Sequence, residues 1–529
     1  MNKTVLYGKE SREKILSGVQ KITDAVRVTM GGQGKCVLIG DAIYHEGWLV
    51  NLPTKVSKDG WTVAKSFELP DTVENRGAMM IREAATKTVE QAGDSTTATC
   101  VLAESLITKG MELINNGANS QQLKKGMDKA LEYVVEELKK SSVPARGDIE
   151  RIRQIATVSA NNDKAIGDLI AEAFKKIGDD GVIDIEASKG TETEIKTADG
   201  YKFDRGWISP LFINNRDKQL CEFTDPLILL YDKRVTHHNQ VEKALGICLN
   251  QGKSLLIICE DADEEGLAYL AMNVAQGRIK CCAVKSPFGS TNREDMEDIA
   301  LLTGGNYMSD TKGASIKEIV MADFGTAKKV IISKNETIII GGNSDEKAVE
   351  NLLNELKMNL TQVKGEDEKA PIERRIAKLT GSVAVIQVGA ATETELNEKM
   401  DRVDDAVRST KAAIAEGFVA GGGTAFVRIP STVDIVSNDF DKGMELVFDA
   451  IKSPIKQICE NAGKNGEEIL KEVLKFEGDM GYNVITDKIE NMVESGIIDS
   501  TKALRCALTN AVSVAGMLLT SECSIISIS

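Results

Sequence analysis

Gly93-Asp94-Ser95-Thr96-Thr97 sets a flexible glycine, a carboxylate and three hydroxyls just before an apolar helical repeat, Ala98, Leu102 and Leu106. A helix that opens this way turns unpaired N–H groups and the positive end of its dipole toward an anion. The hydroxyls can donate to phosphate oxygens, and Asp94 can hold a Mg2+ that bridges them. The same residue types also make an ordinary helix cap. The choice between the two depends on what the rest of the chain brings to this loop.

The chain has 529 residues, too many for one hydrophobic core, so several domains are expected. Its 42% hydrophobic and 27% charged content belongs to a globular protein, and only 4% is aromatic. A net charge of −15 argues against nonspecific binding to nucleic acid or to an anionic membrane. The ten cysteines are scattered with no CxxC, which points to buried free thiols in a reducing cytoplasm. Residues 1–16 are charged and hold no apolar stretch, so no secretory signal is expected. No run of about 18 apolar residues suggests a membrane span.

The elements that must position the loop can be read from periodicity. Ala78, Ile81, Ala85 and Val89 recur at spacings of three and four and share one helix face just before it. Residues 36–63 read as a long β-hairpin, and 123–138 as an amphipathic helix stopped by Ser141-Ser142 and Pro144. From about 200 to 382 short apolar strands (227–230, 255–259, 281–284, 330–332) alternate with helices (241–249, 264–275, 293–302). That alternation predicts an α/β domain with its own core. After 383–388 long helices return, broken by Gly421-Gly422-Gly423. An α/β block is thus inserted into a mostly helical domain, with Gly200 and Gly381 as hinge or turn glycines near the crossings.

Several separated segments then fall into one pattern: Thr29-Met30-Gly31-Gly32-Gln33-Gly34, Ser57-Lys58-Asp59-Gly60, the 92–97 loop, Phe203-Asp204-Arg205-Gly206, Val388-Gly389-Ala390-Ala391-Thr392-Glu393, Arg402-Val403-Asp404-Asp405-Ala406, 416–423 and Gly481-Tyr482-Asn483. In this order they resemble a divergent group I (GroEL-like) chaperonin over nearly the whole chain. The resemblance implies a multidomain α+β chaperonin fold. A mostly helical equatorial domain would come from 1–140 and 416–529, a small intermediate hinge domain from 141–198 and 384–415, and an inserted α/β apical domain from 199–383. It further implies a cytoplasmic, ATP-dependent protein-folding chaperone, built of identical subunits in seven-membered rings with non-native polypeptide clients and a lid co-chaperonin.

The resemblance also assigns residues. Thr29, Met30, Gly31, Lys58, Gly93, Asp94, Ser95, Thr96 and Thr97 would cradle the phosphates, with Mg2+ on Asp94 and K+ near the Thr29 and Lys58 carbonyls. Gly422 and Asp499 would contact the ribose, and Asn483 and Ile485 the adenine. Asp405 would orient the attacking water, with Asp59 as a second carboxylate, after the intermediate segment swings over bound ATP. Without the resemblance, Asp404-Asp405 reads as a solvated helix face. Clients and the lid would meet Trp207, Leu211, Phe212, Val241, Leu245, Leu267, Ala271 and Met272, although apolar residues at helical spacing also make ordinary core.

The chain departs from the pattern in places. Ser95 stands where glycine is usual, and Gly32-Gln33 where proline and lysine are, which predicts weaker nucleotide binding. Glu242 replaces an apolar apical residue, Ser382 the second glycine of a hinge pair, and Asn465 an acid expected at the contact between rings. Two other functions remain open at this point: a ring-forming scaffold with a degenerate ATPase, and a small-molecule kinase.

Overall fold

The computed structural model describes residues 2–528 apart from 41, 46–47, 52–53, 161–162, 180, 189, 217, 288–291, 310–315, 363–365 and 434. The chain forms two compact units. The first comprises Met1–Asp179, Ile185–Ile195 and Ile386–Ser529; the second comprises Asp180–Asp184 and Lys196–Val385.

The first unit is built on long helices. Thr72–Ala92 buries Ala78, Ile81 and Ala85, the face expected from their spacing, and is capped by Asp71. It packs with Gly8–Arg27, Thr96–Asn115 and Thr501–Thr520 around an aliphatic core that includes Ile22, Ile81, Leu102, Leu106 and Leu508. Thr501–Thr520 is long and apolar enough to cross a membrane. Most of its surface is nevertheless buried against these helices, so its apolarity is that of a core element. Ser120–Lys140, capped by Asn119, closes the core against Asp439–Ala450.

Around this core sit small antiparallel pairs. Asn2–Tyr7 runs against Cys523–Ile528, joining the two ends of the chain. In the 36–63 segment Val37–Ile39 pairs with Lys55–Ser57, and Ala42–His45 with Trp48–Asn51; the expected strand pairing ends at Ser57, and the helix Gly60–Ser66 takes the last residues of the segment. Asn465 accepts from the N–H groups of Glu467 and Glu468 as the N-cap of Gly466–Val473, and Lys456 is paired with Glu467 at 2.5 Å. The residue expected to be acidic is therefore used as a helix cap, for which asparagine is well suited.

The second unit centres on fully buried strands: Leu255–Cys259 lies between Leu227–Tyr231 and Cys281–Lys285, both parallel to it. Their continuous apolar runs suit a sheet covered on both faces. Gly325–Ile332 and Thr337–Gly342 add antiparallel strands, so the inserted sheet is mixed. The helices Glu242–Gln251, Glu264–Ala275 and Asn292–Thr303 fall where the periodicity placed them.

Gly200 is not in a turn. It lies inside the strand Glu194–Phe203, its N–H donating to the Gly381 carbonyl at 3.1 Å. A Cβ there would come within 2.2 Å of Val383 Cγ2, so close packing requires the glycine.

The apical stripe is also corrected. Phe212, Val241, Leu245 and Ala271 are buried, the first three inside this unit's own core. Trp207 and Leu267 are half-buried, while Leu211 is 63% and Met272 48% exposed. Glu264–Ala275 packs against the turn Pro210–Phe212 and against the strand Cys281–Lys285, and that packing buries Ala271. The adjacent His237 and His238 share the Glu265 carboxylate on the surface.

Candidate nucleotide site

Five segments of the first unit meet around a cavity of about 260 Å3. Thr29 follows the helix Gly8–Arg27 and donates its hydroxyl to the Val26 carbonyl at 2.8 Å, closing the last turn. Asn461 holds the loop beyond it, donating to the carbonyls of Arg27 at 2.8 Å and Met30 at 2.9 Å. Asp59 caps the short helix Gly60–Ser66, accepting from Trp61 N at 3.1 Å and from Thr62 N and Oγ1 at 2.8 and 2.7 Å. The cap fixes the Asp59 carboxylate in the cavity wall, with Oδ1 accepting only one of these bonds. Burial lowers the pKa of Lys58 on the same wall, with Arg402 adding to the effect.

The phosphate-type loop has an unusual backbone. Gly93 takes φ +76°, and a Cβ there would stand 2.2 Å from Arg408 Cβ, so both conformation and space require glycine. Ser95 takes φ +68° and ψ 23° without being glycine, a state that costs about 1 kcal/mol or more. Its N–H donates to Asp94 Oδ1. The other oxygen of Asp94 accepts from Ser159 at 3.3 Å, from the end of the helix Ile149–Ser159.

Asp405 stands on Glu393–Glu416, one turn after Arg402, which bonds Asp163 at 3.1 Å and Glu398 at 2.7 Å. Asp404 is instead paired with Arg408 at 3.0 Å. The two neighbours expected to act alike on sequence are therefore separated by the helix turn into an ion pair and a cavity wall. Asp405 already lines the same cavity as Asp59 and Asp94, so no swing of its helix is needed to bring it there.

The fifth segment comes from the end of the chain. Phe418–Ala420 pairs with Ile498–Ser500, placing Val419 opposite Asp499 and aligning Gly422 beside the carboxylate. Asn483 donates to Glu490 at 2.6 Å and accepts from Ile485 N at 2.9 Å, so its side chain shapes the turn that presents the 55% exposed Ile485. Tyr482, Met492 and Ile497 complete an apolar end of the cavity.

Of the residues assigned to nucleotide, Thr29, Met30, Gly31, Lys58, Asp59, 94–97, Asp405, Gly422, Asn483, Ile485 and Asp499 line this cavity. Gly93 supports it from behind. Reading the sequence missed Arg402, Ser159, Tyr482 and Asn461. Arg402 and Tyr482 left a signal, since they stand in the segments Arg402-Val403-Asp404-Asp405-Ala406 and Gly481-Tyr482-Asn483.

The walls carry an excess of negative charge. Burial raises the pKa of Asp405 well above the usual range, with Asp59, Asp94 and Asp404 adding to it and Arg408 opposing. Burial raises Asp94 likewise, with Asp59 contributing. Asp499 is pushed up to about 7 by burial and by Asp94, against a hydrogen bond from Gly422 N–H. Such a field fits a cation. Among the described residues no three acidic, His or Cys side chains gather closely enough to hold a metal alone. Mg2+ suits that geometry, because it commonly uses one or two carboxylates and takes its other ligands from phosphate and water.

The Asp499 shift has a consequence for stability. A carboxyl whose folded pKa lies above its unfolded value binds more protons when folded, so stability falls as pH rises between the two. Asp499→Asn removes this term. Its gain in apo Tm over the parent is expected to be near zero at about pH 4 and to reach a plateau above about pH 7. A gain that does not vary with pH would show that Asp499 is not the group responsible.

The solved structures similar to this chain include the chaperonin gp146 from the bacteriophage EL 2 (Pseudomonas aeruginosa), crystallised in the presence of ATP-BeFx in two crystal forms. Crystal form II matches with a TM-score of 0.68 and form I with 0.62; each is 22% identical, and 99% of both chains is covered. That agreement extends the fold over both units. A family model, the TCP-1/cpn60 chaperonin family, matches residues 22–528. With the fold and the sequence model agreeing over nearly its whole length, the chain belongs to the TCP-1/cpn60 chaperonin family.

Proposed function

We propose that this chaperonin is an ATP-driven folding machine: it hydrolyses ATP in the cavity of the first unit and uses the cycle to bind and release non-native polypeptide. The observation that carries the reading is the convergence of the 29–34, 58–60 and 93–97 loops with Asp405 and Asp499 on one cavity. In this reading the N–H groups of 96–97 and the hydroxyls of 95–97, with Lys58, bind the phosphates. Ile485 and the apolar end cover the base, and Asp499 accepts from the ribose. Mg2+, held at Asp94, would neutralise charge developing on the transferring phosphoryl group. K+ would lie at the Thr29 and Lys58 carbonyls. Asp405 orients and deprotonates the attacking water.

We keep the three-part division, with 141–198 and 384–415 as the hinge segment, and seven-membered rings working with a lid. Clients would bind through Leu211 and Met272, flanked by Trp207 and Leu267. Apolar area suits an unfolded client because its burial yields about 25 cal/mol per Å2 and needs no sequence match.

The test uses the full-length chain: ATP hydrolysis with Mg2+ and K+, then recovery of a denatured model enzyme with and without a lid protein. Turnover together with ATP-dependent recovery supports the reading. Binding of unfolded protein without turnover would favour the scaffold instead.

A further inference from the structure

Three buried polar side chains behind the phosphate loop have no part in the site described above. Thr99, fully buried on the first turn of Thr96–Asn115, places Oγ1 3.0 Å from the Ser95 carbonyl and 3.0 Å from Thr88 Oγ1. Thr88, also fully buried, lies on the last turns of Thr72–Ala92 and reaches the Ala84 carbonyl at 3.0 Å. Asn510 enters from Thr501–Thr520, donating to Thr88 Oγ1 at 2.9 Å and to Gln91 Oε1 at 3.2 Å. The two helices that flank the loop are thereby tied to each other and to a third.

The proton count gives this arrangement direction. The Thr99 hydroxyl has one proton and two acceptors in reach, Ser95 O and Thr88 Oγ1. Thr88 gives its own proton to the Ala84 carbonyl and accepts from Asn510, so toward Thr99 it is an acceptor only. The Asn510 donor already occupies Thr88 Oγ1, which favours placing the Thr99 proton on the Ser95 carbonyl. That carbonyl also accepts from Thr99 N at 3.0 Å, while the Ser95 N–H is held by Asp94. The Ser95 peptide is fixed on both sides in a left-handed turn that serine disfavours.

We propose that Asn510, Thr88 and Thr99 form a positioning relay that holds Ser95 in this turn and thereby sets the affinity of the loop for the phosphates of a nucleotide. The proposal rests on the nucleotide reading given above. It supplies a reason for the chain to tolerate serine where the turn favours glycine: the turn is imposed from behind.

The test compares Thr99→Val, which keeps the shape and removes the hydroxyl, with Thr99→Ser, which keeps the hydroxyl. Each is made in the parent chain and in the Ser95→Gly background, where the turn needs no holding. ADP with Mg2+ is the probe for calorimetry, and the Tm without nucleotide is the second readout. Thr99→Val in the parent is expected to weaken ADP binding by about tenfold, the equivalent of one buried hydrogen bond, and to lower the Tm. Thr99→Ser is expected to restore both. In the Ser95→Gly background the loss from Thr99→Val should fall below about twofold, as for uncoupled sites. Asn510→Leu should follow the same pattern. Equal losses in both backgrounds would mean plain packing and overturn the relay. A parent chain that binds no ADP would instead sink the nucleotide reading, and the coupling between Thr99 and Ser95 in Tm would still decide whether the relay exists.

Discussion

Asp405→Asn is expected to slow ATP turnover by about a hundredfold while ADP binding stays within about twofold of the parent. The carboxamide fills the same space on Glu393–Glu416 but cannot take a proton from water. Because burial and the charges of Asp59, Asp94 and Asp404 hold the Asp405 pKa well above the ordinary range, the group is a base only after it loses its proton. The log of kcat should therefore rise with pH in the parent until Asp405 is ionised, and that rise should be missing in the variant. Single-turnover hydrolysis over a pH series reads both effects. Unchanged turnover, or a pH profile identical to the parent's, would remove Asp405 from the chemistry and leave it as part of the wall.

How far these roles can be read in the sequence depends on the range of the interaction. Local periodicity placed the helix Thr72–Ala92 and the strands 227–231, 255–259 and 281–285, because alternation and spacing are properties of neighbouring residues. The apical stripe failed for the same reason. Spacing puts Leu267, Ala271 and Met272 on one helix face but does not say which flank of that face meets a neighbour, and Ala271 proved buried where Met272 is exposed. Acidic side chains of the cavity come from positions as far apart as 59, 94, 405 and 499, and only an ordered pattern of motifs could connect them. Ser159 belongs to no such motif, and the motif 402–406 that contains Arg402 does not name its partners Asp163 and Glu398. The contact between Asn510 and Thr88 spans 422 positions and uses residue types that occur on any helix, so nothing in the sequence marks it.

The same distances explain why the site is built as it is. Each carboxylate is anchored by its own element: Asp59 by a helix cap, Asp94 by Ser95 and Ser159, and Asp499 by a strand pair. None can move away from the others when their charges repel. Their mutual repulsion is thereby stored in the fold, and protons or a cation relieve it.

Asp94→Asn separates that stored repulsion from function, and its two effects should have opposite signs. Asparagine keeps an oxygen to accept the Ser95 N–H, and the Ser159 hydroxyl can turn to accept from the amide. The loop geometry should therefore persist. Burial and Asp59 raise the Asp94 pKa, so the folded chain binds this proton more tightly than the unfolded chain, and ionisation lowers stability as pH rises above the ordinary carboxylate range. Removing the charge is expected to raise the apo Tm at pH 8 and to leave it nearly unchanged at pH 4. Turnover should nevertheless fall by about a thousandfold, the effect of losing several kcal/mol of metal stabilisation of the transferring phosphoryl group. The stabilisation by ADP should also become indifferent to Mg2+. Thermal denaturation at pH 4 and pH 8, with and without ADP and with Mg2+ or a chelator, reads the stability and metal effects, and steady-state hydrolysis reads the turnover. A lower Tm at pH 8 with the Mg2+ effect intact would contradict both halves and place the cation elsewhere in the cavity.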